Sequence, residues 1–598
     1  MDMVKKLPTR NEIGEEFKWR TDKIFSSNDQ WEEAFSKLKK EGEELKKYAG
    51  LLHKPDSLLA YLKESEKVER LAESIMVYGR LKSDEDTSNT VYQGLQNRIN
   101  SYLSELASIN AFFVPELLSL EDGYVEKAIK EQPELKMYTF FLEDILRSKE
   151  HILSQKEEEL LASVSDNLRA PHDIFNMLTN ADIAFPEIED EKGEKVILTE
   201  GNYQSFIKSK DRRVRKDAFL ALFETYGKYR NTLGTSLSAS MKNFVFKARV
   251  RKYKNALEAS LKPNNIPVEV YENALKTIND NLHLLHRYMR VKKKLLNVDK
   301  MHMYDLYAPL IDVPKENIEF KEGVELIKTA LKPLGEEYLQ IFQEGIDSGW
   351  IDVYENKGKR GGAYSFGTYD NMPYVLLNYN NTLNDVSTLA HEMGHSLHSY
   401  YSKKNQPYVY YGYTLFCAEV ASTTNEIILI HHLIENEKDK NKKLSLINQE
   451  LEQIRTTVFR QLMFAEFEKI THEAIEEGKS LTAQEFSELW HDINVKYFGE
   501  DMVVDKEVDM EWARIPHFYR DYYVYQYATG YSAASAFAAS ILNGGEKELE
   551  EYKKFLKSGG SAYPIDILKN SGVDMTTSAP ILATMNRFKE LLDLLEEL

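Results

Sequence analysis

The sequence predicts a mainly helical protein with one small strand-bearing region close to its chemistry. Two observations predict it. Apolar residues recur at spacings of three and four along most of the chain. Strand-like runs beside turn residues interrupt that pattern only near 185–199 and 345–381.

From Asn28 to about Gly123, apolar positions such as Trp31, Phe35 and Leu38, then Leu58, Leu59 and Leu62, fall on one helical face. Tyr124 to about Asn176 continues in that style, and prolines at 55, 115, 133 and 171 are expected where helices stop or start. Phe185 to Thr199 reads as two short strands around an Asp190–Gly193 turn, and helix resumes at Asn202. A boundary near residue 200 divides an N-terminal helical lobe, 1–200, from a catalytic domain, 201–598. Further on, the glycine- and aromatic-rich stretch from Gly361 leads into a strand-like run, 373–378. Asn380 to Asp385 then supplies capping residues for a helix expected to begin near Val386.

Composition excludes several classes. With 77 Lys+Arg against 96 Asp+Glu, the net charge of −19 is opposite to what a nucleic-acid-coating protein requires. The single cysteine, Cys417, permits no internal disulfide and favours a reducing compartment. The first ten residues contain no apolar secretory core, and no stretch approaches 18 consecutive apolar residues. The expectation is a cytoplasmic protein with no nucleic-acid and no membrane partner; its oligomeric state is not legible. The basic runs 211–216 and 290–294 read as solvated helix faces.

The chemistry begins at His391-Glu392-Met393-Gly394-His395. On a helix, residues i and i+4 share a face, so both imidazoles can converge on one tetrahedral ion. Glu392, rotated by about 100°, can reach a water at the ion rather than the ion itself. Val386, Leu389, Ala390, Met393 and Leu397 form an apolar stripe that would anchor the opposite side. His398 shares the histidine face but lies about 10.5 Å along the axis from His391, too far to join the same ion. It is expected behind the ligands or in the wall.

A third ligand should come from another element. Glu419 and Glu426, seven residues apart, share a helical face, with Ala421, Ser422, Thr423 and Thr424 between them small enough for close approach. Glu419 is assigned to the metal and Glu426 to orienting a ligating imidazole; Cys417 is the alternative ligand. The stretch from His517 to Tyr531 holds six tyrosines, more phenols than a core needs, and such groups can donate to a developing oxyanion.

These segments together resemble the thimet-oligopeptidase-like zinc peptidases, closest to the oligoendopeptidase F branch. The resemblance rests on His391-Glu-Met-Gly-His-Ser-Leu-His398, on Ala418-Glu-Val-Ala-Ser422 with Asn425-Glu426, and on the His517–Tyr531 stretch. It implies a two-lobed helical zincin of the gluzincin type, with a small β-sheet beside the active-site helix and a deep substrate channel. One Zn2+ per chain would be held by His391, His395 and Glu419, with Glu392 as general base. His517, Tyr522 and Tyr525 would stabilise the oxyanion, although the His-to-Tyr spacing is longer in thimet oligopeptidase itself, so matching the tyrosines needs a gap. Gly362, Ala363, Tyr364 and Tyr523 would contact the peptide. The implied activity is endopeptidase hydrolysis of short unstructured peptides. An exo-acting dipeptidyl carboxypeptidase, or a silent peptide-binding protein on the same scaffold, are the rivals.

Overall fold

The computed structural model describes residues 6–311 and 316–598. Met1–Lys5, part of the stretch read for a secretory signal, lies outside them. Helix accounts for 72% of the chain and strand for 3%, so the expected fold class holds. Among the described residues no single helix is long and apolar enough to cross a membrane.

Contacts divide the chain into two compact units, each assembled from three stretches. The first comprises Met1–Lys149, Lys315–Leu429 and Phe537–Gly572. Its N-terminal part is built on helices Asn28–Glu43, Pro55–Glu85 and Thr90–Asn110, whose periodic apolar faces enclose Trp31, Phe35, Leu38, Ile75 and Ile99. Pro55 occupies the first turn of its helix, where its missing N–H leaves no bond unmade. The same unit contains a three-stranded sheet. Strand Tyr374–Leu376 lies in its centre, parallel to Ile351–Asp352 and antiparallel to the edge strand Tyr364–Phe366.

Helix Leu383–Asn405, the His391 helix, follows that sheet. It starts three residues earlier than the sequence suggests. Thr382 is the N-cap, and it and Asp385 close a reciprocal capping box, so Asp385 belongs to the first turn instead of preceding it. Val386, Leu389, Met393 and Leu397 are fully buried. At about 1.5–3 kcal/mol each, gross, their burial outweighs the roughly 1 kcal/mol of a cap. Packing therefore orients this helix, and the cap sets where it starts. Helix Leu415–Asn436, the Glu419 helix, crosses it so closely that a Cβ on Gly394 would lie 2.5 Å from Ser422 Cα and 2.9 Å from Ala421 O.

The second unit comprises Glu150–Pro314, Ile430–Ala536 and Val573–Leu598. The expected hairpin is present, with Glu187–Glu189 antiparallel to Lys195–Ile197. Two sequence expectations fail in this unit. Pro171 does not bound a helix but lies inside Ser165–Met177. Helix Arg230–Val250 packs against this stretch, Ser236 Oγ donating to Pro171 O and Asn243 Nδ2 to Leu168 O. The basic runs are not simply solvated faces either. Arg215 is buried and, with Arg212, holds the fully buried carboxylate of Asp305, while buried Lys292 donates to Glu452 and to Leu306 O. A buried charge is tolerable only when paired, and sequence does not reveal these distant partners.

The contact at Gly394 yields a test. Gly394→Ala should lower unfolding free energy by about 1–3 kcal/mol in chemical denaturation, because backbone, not a flexible side chain, must move.

Candidate metal centre

His391 and His395 project from one face of their helix, as the four-residue spacing requires. Their Nε2 atoms lie 3.2 Å apart, and each is 3.4 Å from Glu419 Oε2. Donors about 2.0–2.1 Å from a tetrahedral ion stand about 3.3 Å from one another. Two imidazoles and a carboxylate at this separation fit zinc in donor type and spacing, and the group could hold a metal ion.

The surroundings fix the donor atoms. Glu426 Oε2 lies 3.0 Å from His391 Nδ1, so a proton on that nitrogen is held by the carboxylate and Nε2 is the atom left to face an ion. Burial disfavours charge on His391, but Glu419 and Glu426 outweigh it and push the imidazole up to about 10. Burial likewise opposes ionisation of Glu419, yet the two imidazoles hold its carboxyl well below the usual range. Glu392 is buried, which raises its carboxyl, with His391 and His395 pulling the other way. Cys417, two residues from Glu419, is buried and its thiol is pushed up to about 12 by burial, far from a ready thiolate.

Asn425, for which the sequence suggests no role, ties the two helices together. Its Nδ2 donates to Ala390 O at 3.0 Å, and its Oδ1 accepts from Tyr338 OH at 2.9 Å. The signal was available, a buried amide beside Glu426 in a run of small residues, but its partner lies 35 residues away. His398 belongs to the wall. Its ring stacks on Tyr413 at 3.8 Å and packs on Phe555 at 4.8 Å, and burial, then His395, push it down to about 3.

Of the residues expected along the peptide, Gly362 adopts a left-handed conformation and its carbonyl accepts from Asn378 Nδ2 at 2.8 Å. Ala363 leads directly into the edge strand, where Tyr364 donates to Asp84 Oδ2 at 2.6 Å. Ser365 Oγ is 2.8 Å from Ser396 Oγ, which fastens the strand beside His395.

The His517 cluster belongs to the second unit and is described by itself. Tyr523 stacks parallel to His517 at 5.9 Å, and Tyr527 OH lies 3.5 Å from His517 Nε2. All three are half-buried. Burial, then Arg520, hold His517 below its ordinary value, so it is a neutral imidazole near pH 7. Tyr522 and Tyr525 are buried instead, their rings against Tyr271. Tyr522 has a left-handed backbone (φ 45°) and donates its N–H to Glu468 Oε1 at 2.7 Å. That turn sends successive side chains in different directions, which the strict spacing of tyrosines does not disclose.

Comparison with known proteins supplies the family. Residues 205–587 match the model of peptidase family M3, and residues 116–185 match an oligopeptidase F model. The chain is 48% identical to oligopeptidase PepF of Bacillus subtilis over 99% of its own length and 88% of that protein's. It is 40% identical to group B oligopeptidase PepB of Streptococcus agalactiae, covering 98% of both chains. The crystal structure of oligoendopeptidase-F from Enterococcus faecium superposes with a TM-score of 0.72 at 39% identity, over 97% of this chain and 99% of that one. With a family model spanning most of the chain and relatives matched nearly end to end, this protein belongs to peptidase family M3 and is a peptidase.

Proposed function

We propose that the chain is a zinc-dependent endopeptidase that hydrolyses internal bonds of short, unstructured peptides. The observation that carries this reading is the convergence of His391 Nε2, His395 Nε2 and Glu419 Oε2 at 3.2–3.4 Å, with Glu392 one residue from His391. These three atoms would hold one Zn2+ per chain. The ion, when bound, supplies Lewis acidity that makes water a better nucleophile and polarises the scissile carbonyl.

The protein's own groups carry the protons. Glu392 accepts one from the attacking water and returns it to the leaving amine nitrogen, ending in its starting state. A carboxyl raised by burial is suited to both transfers. Glu426 keeps the proton of His391 on Nδ1 throughout. The edge strand Tyr364–Phe366, with Gly362 and Ala363 before it, offers main-chain groups to an extended peptide, which makes binding depend on substrate backbone more than on any one side chain. His517, as a neutral donor, would stabilise the oxyanion together with Tyr523 and Tyr527 beside it, in place of the buried Tyr522 and Tyr525. The single buried cysteine accords with a cytoplasmic setting.

Three measurements test this reading. Glu392→Gln should retain stoichiometric zinc and lose several orders of magnitude in hydrolysis of an internally quenched peptide blocked at both ends; normal turnover would end the general-base role. Glu419→Ala should lose zinc by metal analysis while Cys417→Ser keeps it, and the reverse pattern would move the third ligand to the thiol. His517→Ala should lower kcat at unchanged zinc content, and an unaltered kcat would remove it from the mechanism.

A further inference from the structure

A cavity of about 340 Å³ lies in the first unit, lined by residues of helix Pro55–Glu85 and of the turn joining the His391 and Glu419 helices. Four phenols, Tyr61, Tyr138, Tyr408 and Tyr411, share its wall with Glu66 and Glu69. Neutral donors satisfy most of its acids. Glu69 Oε1 accepts from Ser65 at 2.8 Å, and Glu66 Oε2 accepts from Tyr138 at 3.2 Å. Glu73, which adjoins the wall, accepts from Tyr408 and Tyr411 at 3.0 and 2.9 Å. The nearby cation, Arg70, is 3.5 Å from Glu66 but is committed to Asp370 at 2.8 Å. Burial pushes the carboxyls of Glu69 and Glu73 up, and a neighbouring carboxylate adds to it in each case. Phenol faces and carboxylates around a space of this size are the chemistry of a site for an organic cation.

The cavity is linked to the metal centre along two routes. The ligand-bearing face of the His391 helix continues through Ser399 and Ser402, four and seven residues past His395. Ser399 Oγ is 2.9 Å from Tyr413 OH, and Ser402 Oγ donates to Tyr411 O at 2.5 Å. Ser365 of the edge strand is joined to Ser396, and Tyr369 packs on Tyr408 and Tyr411 at 5.6 and 5.2 Å. The strand ends at Phe366 and the chain turns at Tyr369 against the cavity wall, so a substrate aligned along the strand is led toward the cavity beyond the strand's end.

We propose that this cavity is a subsite for a basic side chain of the peptide, lysine or arginine, a few residues from the scissile bond. The inference rests on the reading above that peptides lie along the edge strand. It identifies a preference that the metal chemistry alone does not create.

The test moves lysine or its uncharged isostere norleucine through positions three to five on each side of the scissile bond in one neutral, internally quenched peptide. At one position kcat/KM for lysine should exceed that for norleucine about tenfold, and Glu69→Gln should bring the ratio close to one. Should that variant fail to fold, Glu66→Gln carries the same measurement. A ratio near one at every position, or a preference that survives the substitution, overturns the proposal. Hydrolysis of the norleucine series distinguishes the two failures: without the subsite these peptides are still cut, whereas without the endopeptidase neither series is.

Discussion

The candidate centre depends on one steric fact, the approach of two helix backbones at Gly394 and Ser422 with no room for a β-carbon. A carboxylate side chain is short, so Glu419 meets the two imidazoles only if its helix lies nearly in backbone contact with theirs. Small residues on one side and glycine on the other permit that approach. Asn425 then fixes it with a buried hydrogen bond to Ala390 O, in a setting where losing the partner would strand a desolvated amide. Glu426, one residue further, can address the outer nitrogen of His391 because the same crossing brings it there.

The edge strand is placed by a different kind of interaction. Asp352, in the strand at the other edge of the small sheet, is buried and held by Arg10 at 2.6 Å and Lys359 at 2.8 Å. Burial alone would raise that carboxyl; its two cations bring it below the ordinary range instead. Such pairs contribute little net stability against an apolar alternative, but they oppose any register in which a charge loses its partner. Since a one-residue slip turns every side chain of a strand over, fixing register here also decides which groups the Tyr364–Phe366 edge presents.

The candidate centre and the edge strand are thus supported by different forces in one unit: apolar packing beneath the His391 helix, and paired charge behind the sheet. The phenol-rich turn between the site helices joins them. Its residues bond to the helix face that carries His391 and His395 and pack against the chain leaving the edge strand.

Much of this was determined by sequence alone, because it is local. The 3.6-residue period sets which residues share a face, so the pairing of His391 with His395, the apolar stripe beneath them and the common face of Glu419 and Glu426 follow from spacing. Tertiary structure decided what depends on partners far along the chain. The crossing at Gly394, the bond from Asn425, the burial of Arg215 and Lys292, and the continuation of a helix through Pro171 all need groups tens of residues away. The tyrosine stretch shows the limit most clearly. Tyr522 and Tyr525 are indistinguishable by composition from Tyr523 and Tyr527, and a single left-handed residue held by Glu468 determines which rings are buried and which stand beside His517. A backbone reversal of that kind is stabilised by its surroundings, not by its own side chain, and so leaves no mark in the local sequence.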